Sequence, residues 1–373
     1  MGDEAGDRAD AIPEGDTEGG PAEDAGVEAT AAGAASGQAV LGALMAAAAV
    51  AGSTSTPGYA YQKVQKDNRE PRAENVAGNF WVDHTCIDCD TCRMMAPETY
   101  SRMNDQSAVH QQPSDRKGRV RALQALLSCP TYSIHVNERS AEELKEAQAG
   151  MPLPVPGTGN CYSCGWRSEK TFGGEGFLIT RPQGNVLVDA PRFNPVLAKR
   201  IAEMGGIKYM FLTHKDDVGD HERWAKHFNA QRILHADEVV PDTQAVEVKL
   251  TGEGPWQLPD GSDDITLIFT PGHTEAHVCL YYAPDKALFS GDHLSAGYTP
   301  EQELYVFKDF NWYSVPRQLE SMRQLLQYDW LHVLPCHGRP VHLRDALHRL
   351  QAMNELLVRE GLTPELQPAA VSS

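Results

Sequence analysis

Histidine and aspartate side chains gather in one short stretch of the sequence, residues 213–221, which reads Thr-His-Lys-Asp-Asp-Val-Gly-Asp-His. The stretch follows an apolar run, residues 207–212, that is typical of a buried β-strand. Imidazole and carboxylate groups are the donors with which proteins bind zinc, iron and manganese. The stretch therefore predicts part of a metal site at the edge of a sheet.

Three later fragments share one form, in which an apolar run is followed by Gly or Pro and then by a His or an Asp. They are residues 271–274 (Pro-Gly-His-Thr), 290–292 (Ser-Gly-Asp) and 335–338 (Pro-Cys-His-Gly). Strand ends that converge with one ligand each can build a metal site without any close-spaced motif. Four such fragments in order predict one shared site, although a metal-free remnant of such a site is the alternative.

On these motifs the chain resembles the metallo-β-lactamase superfamily over residues 157–349. The resemblance implies a sandwich of two sheets covered by helices, αββα, with the ligand loops at one edge. It also implies two metal positions and a catalytic carboxylate, Asp220. Carried over by motif, the ligands are His214 and His273 for one metal, Asp220, His221 and His337 for the other, and Asp292 as the bridge.

The sequence departs from the family spacing, His-x-His-x-Asp-His, because it has two extra residues and no second His. Asp216 occupies the place of that His if the extra residues follow it, as Glu does in the diiron relatives of the family. It is therefore a further candidate ligand. A carboxylate makes the donor set harder, which favours iron or manganese over zinc. We expect one or two divalent metals, zinc or iron.

Four of the eight cysteines follow a different pattern. Cys86, Cys89 and Cys92 form Cys-x-x-Cys-x-x-Cys, and Cys129 stands before a proline after 36 intervening residues. Three thiolates from one loop and a fourth from a distant turn is the spacing of a 4Fe-4S cluster. A four-cysteine zinc site is the alternative.

This part of the chain resembles bacterial-type ferredoxins over residues 78–138. In the two-cluster forms a Cys-Pro pair follows the third cysteine and serves the other cluster, whereas this chain has Ala96-Pro97 there. The resemblance therefore implies a single 4Fe-4S cluster. A second Cys-x-x-Cys, residues 161–164, is predicted to lie in a loop, with a redox-active pair as the alternative.

Charge and composition narrow the choice of partners. The formal net charge is -18, but residues 1–30 carry ten acidic residues against Arg8 alone. The remainder is mildly acidic and has no basic stripe, which argues against nucleic acid as a partner. We expect a small-molecule substrate. A protein that donates or accepts electrons is a second candidate partner.

The N-terminal region has a composition typical of disorder over residues 1–36. Residues 31–52 are uncharged over about the length of a membrane span. Alanine dominates them and gains little from lipid, so a membrane span is disfavoured and a targeting segment is the alternative. Fused chains of this type resemble those of cyanobacteria, algae and plant chloroplasts. That resemblance implies a chloroplast location, with the cytoplasm as the alternative.

The chain is long enough for two folded units and a tail. We expect an α/β multi-domain protein in which a small α+β ferredoxin-like domain precedes the αββα sandwich. Helices are predicted over residues 195–204, 221–228, 316–326 and 344–359. The predicted units are residues 1–75 as a tail, 76–138 as the ferredoxin-like domain, 139–156 as a linker, 157–360 as the lactamase-like domain and 361–373 as a second tail.

Three functions are consistent with these motifs. A metal with an open position makes hydroxide available at neutral pH, which predicts hydrolysis of an ester or thioester bond. An iron–sulfur domain on the same chain favours instead an oxidoreductase whose cluster exchanges electrons with an iron site. The third function is an electron-transfer protein whose second domain docks a partner and has an eroded metal site.

Overall fold

The computed structural model describes residues 69–297, 299 and 301–364. The predicted N-terminal disorder and the uncharged segment of residues 31–52 lie outside the described residues. Within the described part of the chain, none of the helices is both long and apolar enough to cross a membrane.

The first domain is small and mixes strands with helices. Strand β1 (Phe80–Val82) pairs antiparallel with β4 (Ile134–Val136), and β2 (Tyr100–Met103) forms a hairpin with β3 (Gln106–Val109). Two helices, α1 (Thr91–Met95) and α2 (Arg116–Ser128), complete it. This is the α+β unit that the sequence predicts.

The predicted linker has more regular structure than its prolines indicate. Helix α3 (Ala141–Ala149) begins after Ser140, whose hydroxyl accepts a hydrogen bond from Glu143 N. The next residues are rich in proline, which disfavours regular hydrogen-bonded structure, yet β5 (Leu153–Pro154) pairs antiparallel with the first strand of the second domain. Proline is tolerated there because β5 is an edge strand. The side of an edge strand that faces away from the sheet needs no N–H donor. The linker therefore forms the margin of the sheet.

The second domain contains two sheets. The larger has seven strands in the order β11-β10-β9-β8-β7-β6-β5, parallel from β8 to β11 and antiparallel from β5 to β8. The new strands of this sheet are β6 (Cys161–Ser163), β7 (Phe177–Ile179), β8 (Val186–Val188), β9 (Tyr209–Phe211), β10 (Gln231–His235) and β11 (Val248–Leu250). Two helices, α4 (Pro195–Glu203) and α5 (His221–Phe228), lie between these strands in the sequence.

The smaller sheet has the order β12-β13-β14-β15-β16, in which only β14 and β15 are parallel. Its strands are β12 (Ile265–Phe269), β13 (Val278–Tyr282), β14 (Ala287–Gly291), β15 (His332–Pro335) and β16 (Val341–His342). Helix α6 (Val315–Leu325) precedes β15, and α7 (Ala346–Arg359) follows β16.

The inner faces of the two sheets form one buried layer. Phe211 and Ile233 of the larger sheet share this layer with Val278 and Phe289 of the smaller sheet. Because alternate residues of a strand point to opposite faces, the outer faces are apolar as well and need cover. Helices α6 and α7 cover the smaller sheet, and α4 and α5 cover the larger one. The predicted αββα sandwich is confirmed.

The apolar layer that covers the outer face of the larger sheet includes residues of the first domain. Leu123 of α2 in the first domain and Leu178 of β7 belong to the same continuous cluster of buried apolar side chains, together with Met151 and Trp166. Arg192 adds polar contacts, since its Nη2 donates to the carbonyl oxygen of Leu127 over 3.0 Å. The two domains therefore share a hydrophobic core.

Candidate metal centres

The four cysteines predicted to hold a cluster line one cavity in the first domain. Cys86 and Cys89 lie in the loop before α1, Cys92 is in that helix, and Cys129 follows the end of α2. A tight loop and a helix end thus bring together four sulfur atoms that are separated by up to 43 positions in the sequence.

Backbone amides and burial suit these sulfurs to a metal cluster. Ser107 N donates to Cys86 Sγ and Ser133 N donates to Cys129 Sγ, each over 3.3 Å. Such bonds stabilise charge on cluster sulfurs. Burial raises the pKa of Cys129 to about 11, so without a cation the thiol would be neutral. Because a bound metal deprotonates its thiol ligands, the cavity fits a 4Fe-4S cluster.

The second candidate centre lies where four strands of the two sheets end. His214 follows β9, His273 follows β12, Asp292 follows β14 and His337 follows β15. These ends meet at one edge of the sandwich, as the sequence predicted. Their potential ligand atoms form two neighbouring groups.

The first group contains His214, Asp216 and His273, whose ligand atoms lie within 4.8 Å of one another. His214 Nε2, Asp216 Oδ2 and His273 Nε2 are all buried and make no hydrogen bond of regular geometry within the described part of the chain, although His214 Nε2 lies 3.2 Å from Asp217 Oδ2. Buried polar atoms are nearly always paired, because leaving one unpaired costs about 1–3 kcal/mol. Three unpaired atoms directed at one place fit a metal ion.

The second group contains Asp217, Asp292, Cys336 and His337, again within 4.8 Å. Asp292 Oδ2 lies 2.9 Å from His337 Nδ1 and 3.7 Å from His273 Nε2, so this carboxylate stands between the two groups. That position suits the bridging role that the sequence resemblance implied for Asp292.

Burial and neighbouring charges set the protonation of these side chains. Burial lowers the pKa of His273 to about 4, which leaves a neutral imidazole with a free lone pair. Burial raises the pKa of Asp216 to about 6. Burial opposes a charge on His337, but Asp292 and Asp217 outweigh it and raise its pKa to about 10. The carboxylates therefore attract positive charge to this place, and a metal ion would supply it.

Two carboxylates outside the predicted ligand set hold the ligand loops. Asp189 accepts hydrogen bonds from Thr213 N over 2.9 Å and from its hydroxyl over 3.0 Å, and that hydroxyl lies 2.9 Å from His214 Nδ1. Glu238 accepts from Lys215 N over 3.0 Å and from Ala276 N over 2.7 Å, which ties the loop of His214 to the loop of His273. Asp189 follows a strand in the sequence, a signal that could have identified it, whereas nothing marks Glu238.

The structure does not bring Asp220 and His221 into either group. Asp220 accepts hydrogen bonds from Lys170 Nζ over 2.7 Å and from Phe193 N over 2.8 Å. His221 Nδ1 lies 3.2 Å from Arg232 Nη1, and burial lowers the pKa of this histidine. Both side chains thus have structural partners, and Asp217 occupies the position expected of Asp220. The extra residues of the loop explain this difference, since they move the Asp-His pair into the start of α5.

The prediction that Cys161 and Cys164 both lie in a loop is wrong for Cys161, which begins strand β6. Both are buried. Burial raises the pKa of Cys164 well above the usual range of a thiol, and a redox-active thiol needs a lowered one. The geometry therefore favours packing over redox chemistry for these two residues.

Known protein families match two separate segments of the chain. A family described as the 4Fe-4S single cluster domain of Ferredoxin I matches residues 82–136, and the metallo-beta-lactamase superfamily matches residues 176–329. The matches confirm a ferredoxin-type domain fused to a metallo-β-lactamase domain.

Individual relatives cover the second domain in part. Hydroxyacylglutathione hydrolase of Trichormus variabilis is 31% identical over 131 residues, which are 32% of this chain and 50% of that protein. Lactamase-like protein nscB of Arthroderma benhamiae is 26% identical over 168 residues, which are 43% of this chain and 35% of that protein. The chain therefore spans half or less of the length of these relatives.

Among solved structures, one metallo-beta-lactamase is similar to part of the chain. The crystal structure of the BLEG-1 B3 metallo-beta-lactamase is 18% identical, and the match covers 51% of this chain and 96% of that chain with a TM-score of 0.39.

Proposed function

We propose that the protein is a metal-dependent hydrolase that cleaves an ester or thioester bond in a small-molecule substrate. The observation that carries this proposal is the trio of buried, unpaired ligand atoms on His214, Asp216 and His273. The relatives named hydroxyacylglutathione hydrolase support the thioester class, because an acyl group on glutathione is a thioester. Zinc and iron both fit the mixed imidazole and carboxylate donors.

A divalent metal at this place supplies Lewis acidity and makes hydroxide available at neutral pH. The chain's own residues fix the geometry that this chemistry needs. Asp189 holds Thr213, and Thr213 in turn orients the imidazole of His214 through Nδ1, so that Nε2 faces the site. Such support of a ligand through its other ring nitrogen is common at catalytic metal sites.

Two exposed aromatic residues stand beside the ligands. Trp312 N donates to the carbonyl oxygen of His273 over 2.9 Å, and the Trp312 and Tyr313 side chains are 45% and 54% exposed. Large apolar side chains of this exposure next to a candidate site suit contact with an apolar part of a substrate. We assign them the substrate side of the site.

The test compares two aspartates of the same loop in the full chain loaded with zinc or iron. Asp216→Asn should lose metal and thioester hydrolysis, because it removes a charged ligand. Asp220→Asn should keep its metal, because its side chain contacts Lys170 instead. Metal analysis of the reverse pattern would reject the structural assignment. Absence of ester and thioester hydrolysis by fully loaded wild-type protein would reject the function.

The full chain is required for this test because residues before position 157 contribute side chains to the core of the second domain. Leu123 and Met151 precede residue 157 and pack into the cluster that covers the larger sheet. A fragment that begins at residue 157 would expose that apolar layer to water, so its inactivity would be uninformative.

A further inference from the structure

Residues 171–174, which we call the glycine strap, lie between the two candidate metal centres. A Cβ atom built on Gly173 would stand 3.3 Å from Cys89 Sγ, a predicted ligand of the cluster. A Cβ built on Gly174 would stand 2.6 Å from Cys336 Sγ in the second metal group. The two consecutive glycines therefore lie against one centre each. At Gly174 a side chain would not fit, because its Cβ would clash with Cys336 Sγ.

The strap is fixed at both ends by hydrogen bonds. Arg167 Nη1 donates to the carbonyl oxygen of Gly173 over 3.0 Å. The carbonyl oxygen of Thr171 lies 2.8 Å from His337 Nε2, which ties the strap directly to the second group. Glu175 N, the next residue after the strap, donates to the carbonyl oxygen of Cys336 over 2.8 Å.

An ion pair also links the two sides. Arg339 Nε lies 2.6 Å from Asp90 Oδ2. Arg339 is two residues from His337, and Asp90 directly follows Cys89. The loops that carry the predicted ligands of the two centres are thus held together from both domains.

The separation of the centres follows from these contacts. Adjacent Cα atoms are 3.80 Å apart, so Cys89 Sγ and Cys336 Sγ can be no more than about 13 Å apart. Electron transfer through protein becomes slower exponentially with distance, and a short packed path with hydrogen bonds favours it. No path of this kind is needed for hydrolysis.

The donor atoms of the second centre suit a redox metal. Two carboxylates, Asp217 and Asp292, stand with the imidazole of His337 and the thiol of Cys336. Iron accepts imidazole, carboxylate and thiolate donors. Iron, unlike zinc, can accept an electron.

We propose that the glycine strap is an electron-transfer route between the 4Fe-4S cluster and an iron ion held by Asp217, Asp292, Cys336 and His337. One electron leaves the reduced cluster, which is oxidised by one electron, and a ferric ion in the second site becomes ferrous. A low-potential one-electron donor reduces the cluster again. The route sets the oxidation state of this iron ion, and it rests on the proposed function only in that both require metal in the second domain.

The first experiment follows both centres in full-length protein under anaerobic conditions. Iron-loaded protein with an oxidised cluster and ferric iron is mixed with one electron equivalent of dithionite. We expect the cluster absorption to bleach and then recover while the ferric EPR signal disappears. Zinc-loaded protein is the control, and its cluster should stay bleached. A reduced cluster that persists beside ferric iron would overturn the proposal.

The second experiment tests the iron end of the route, in variants whose iron content is first shown to equal that of the wild-type protein. Cys336→Ala should slow the recovery of the cluster by about tenfold or more. Cys279→Ala, which removes another buried thiol in strand β13, should leave the rate unchanged. An equal rate in both variants would overturn the route.

A third measurement on the wild-type protein does not depend on how the variants fold. Manganese(II) in the second site should speed the electron-spin relaxation of the reduced cluster, relative to zinc, because the centres are close. Equal relaxation with the two metals would overturn the proposal. Hydrolysis by zinc-loaded protein is a separate measurement, so failure of the hydrolase proposal and failure of the electron route are distinguishable.

Discussion

Arg167 and Glu175 form a buried ion pair beside the glycine strap, and we predict that Glu175→Gln destabilises the whole protein. Arg167 Nη2 lies 2.7 Å from Glu175 Oε2, and the two side chains are 7% and 6% exposed. Glu175 Oε1 also accepts a hydrogen bond from Gly165 N over 3.1 Å. Burial opposes the charge of Arg167, but Glu175 outweighs it and raises the arginine pKa.

The substitution keeps the shape of the side chain and removes its charge. Arg167 would then be a buried cation without a counter-ion, and breaking a buried pair in this way costs about 3–5 kcal/mol. For a domain of this size a loss of that order lowers Tm by roughly 10 °C. We expect this shift in thermal unfolding followed by circular dichroism.

The matched control is Glu320→Gln, which breaks an exposed pair with Arg317 on α6. Those side chains are 67% and 41% exposed, and pairs of this kind contribute about 0.5 kcal/mol. If Glu175→Gln lowers Tm no more than Glu320→Gln does, the buried pair does not stabilise the strap region and the reasoning is refuted.

Three further predictions follow from the described contacts. Phe211→Ala should cost about 3–5 kcal/mol in denaturant unfolding because it leaves a cavity between the sheets, whereas Val358→Ala, at a 56% exposed position, should change stability by less than about 0.5 kcal/mol. Cys89→Ala should abolish the visible absorption and the iron and sulfide content of the first domain, and Cys161→Ala should preserve them; equal loss in both would refute the assignment of the cluster ligands. Asp292→Asn should remove both metals of the second domain, and metal analysis that finds full occupancy would exclude a bridge.

Periodicity and motif order were enough to predict the fold. The strand before residue 213 and the helix of residues 195–204 lie within a residue or two of the observed β9 and α4. Helix α4 begins where Asn194 accepts a hydrogen bond from Val196 N, and it ends just before Gly205 and Gly206, which have positive φ. Such end signals are local, so the sequence contains them.

The candidate site was only partly predictable. His273 and Asp292 follow strands directly, so strand direction alone carries them to the shared edge. The loop after β9 has two extra residues, and its path decides which aspartate faces the site. Spacing favoured Asp220, but contacts with Lys170 and Phe193 N take it elsewhere. These contacts join residues far apart in the sequence, and no local pattern reveals them.

Because the two domains share a core, the abundance of the protein depends on the supply of its iron–sulfur cluster. Cys92 and Cys129 belong to the same continuous cluster of buried side chains as Leu178 of the larger sheet and Trp224 of α5, the helix that covers part of that sheet. A group that binds only the folded state stabilises it in proportion to the binding free energy. Loss of the iron–sulfur cluster, through oxygen damage or iron shortage, would therefore weaken the lactamase-fold domain too. The amount of intact protein would then report the iron status of its compartment.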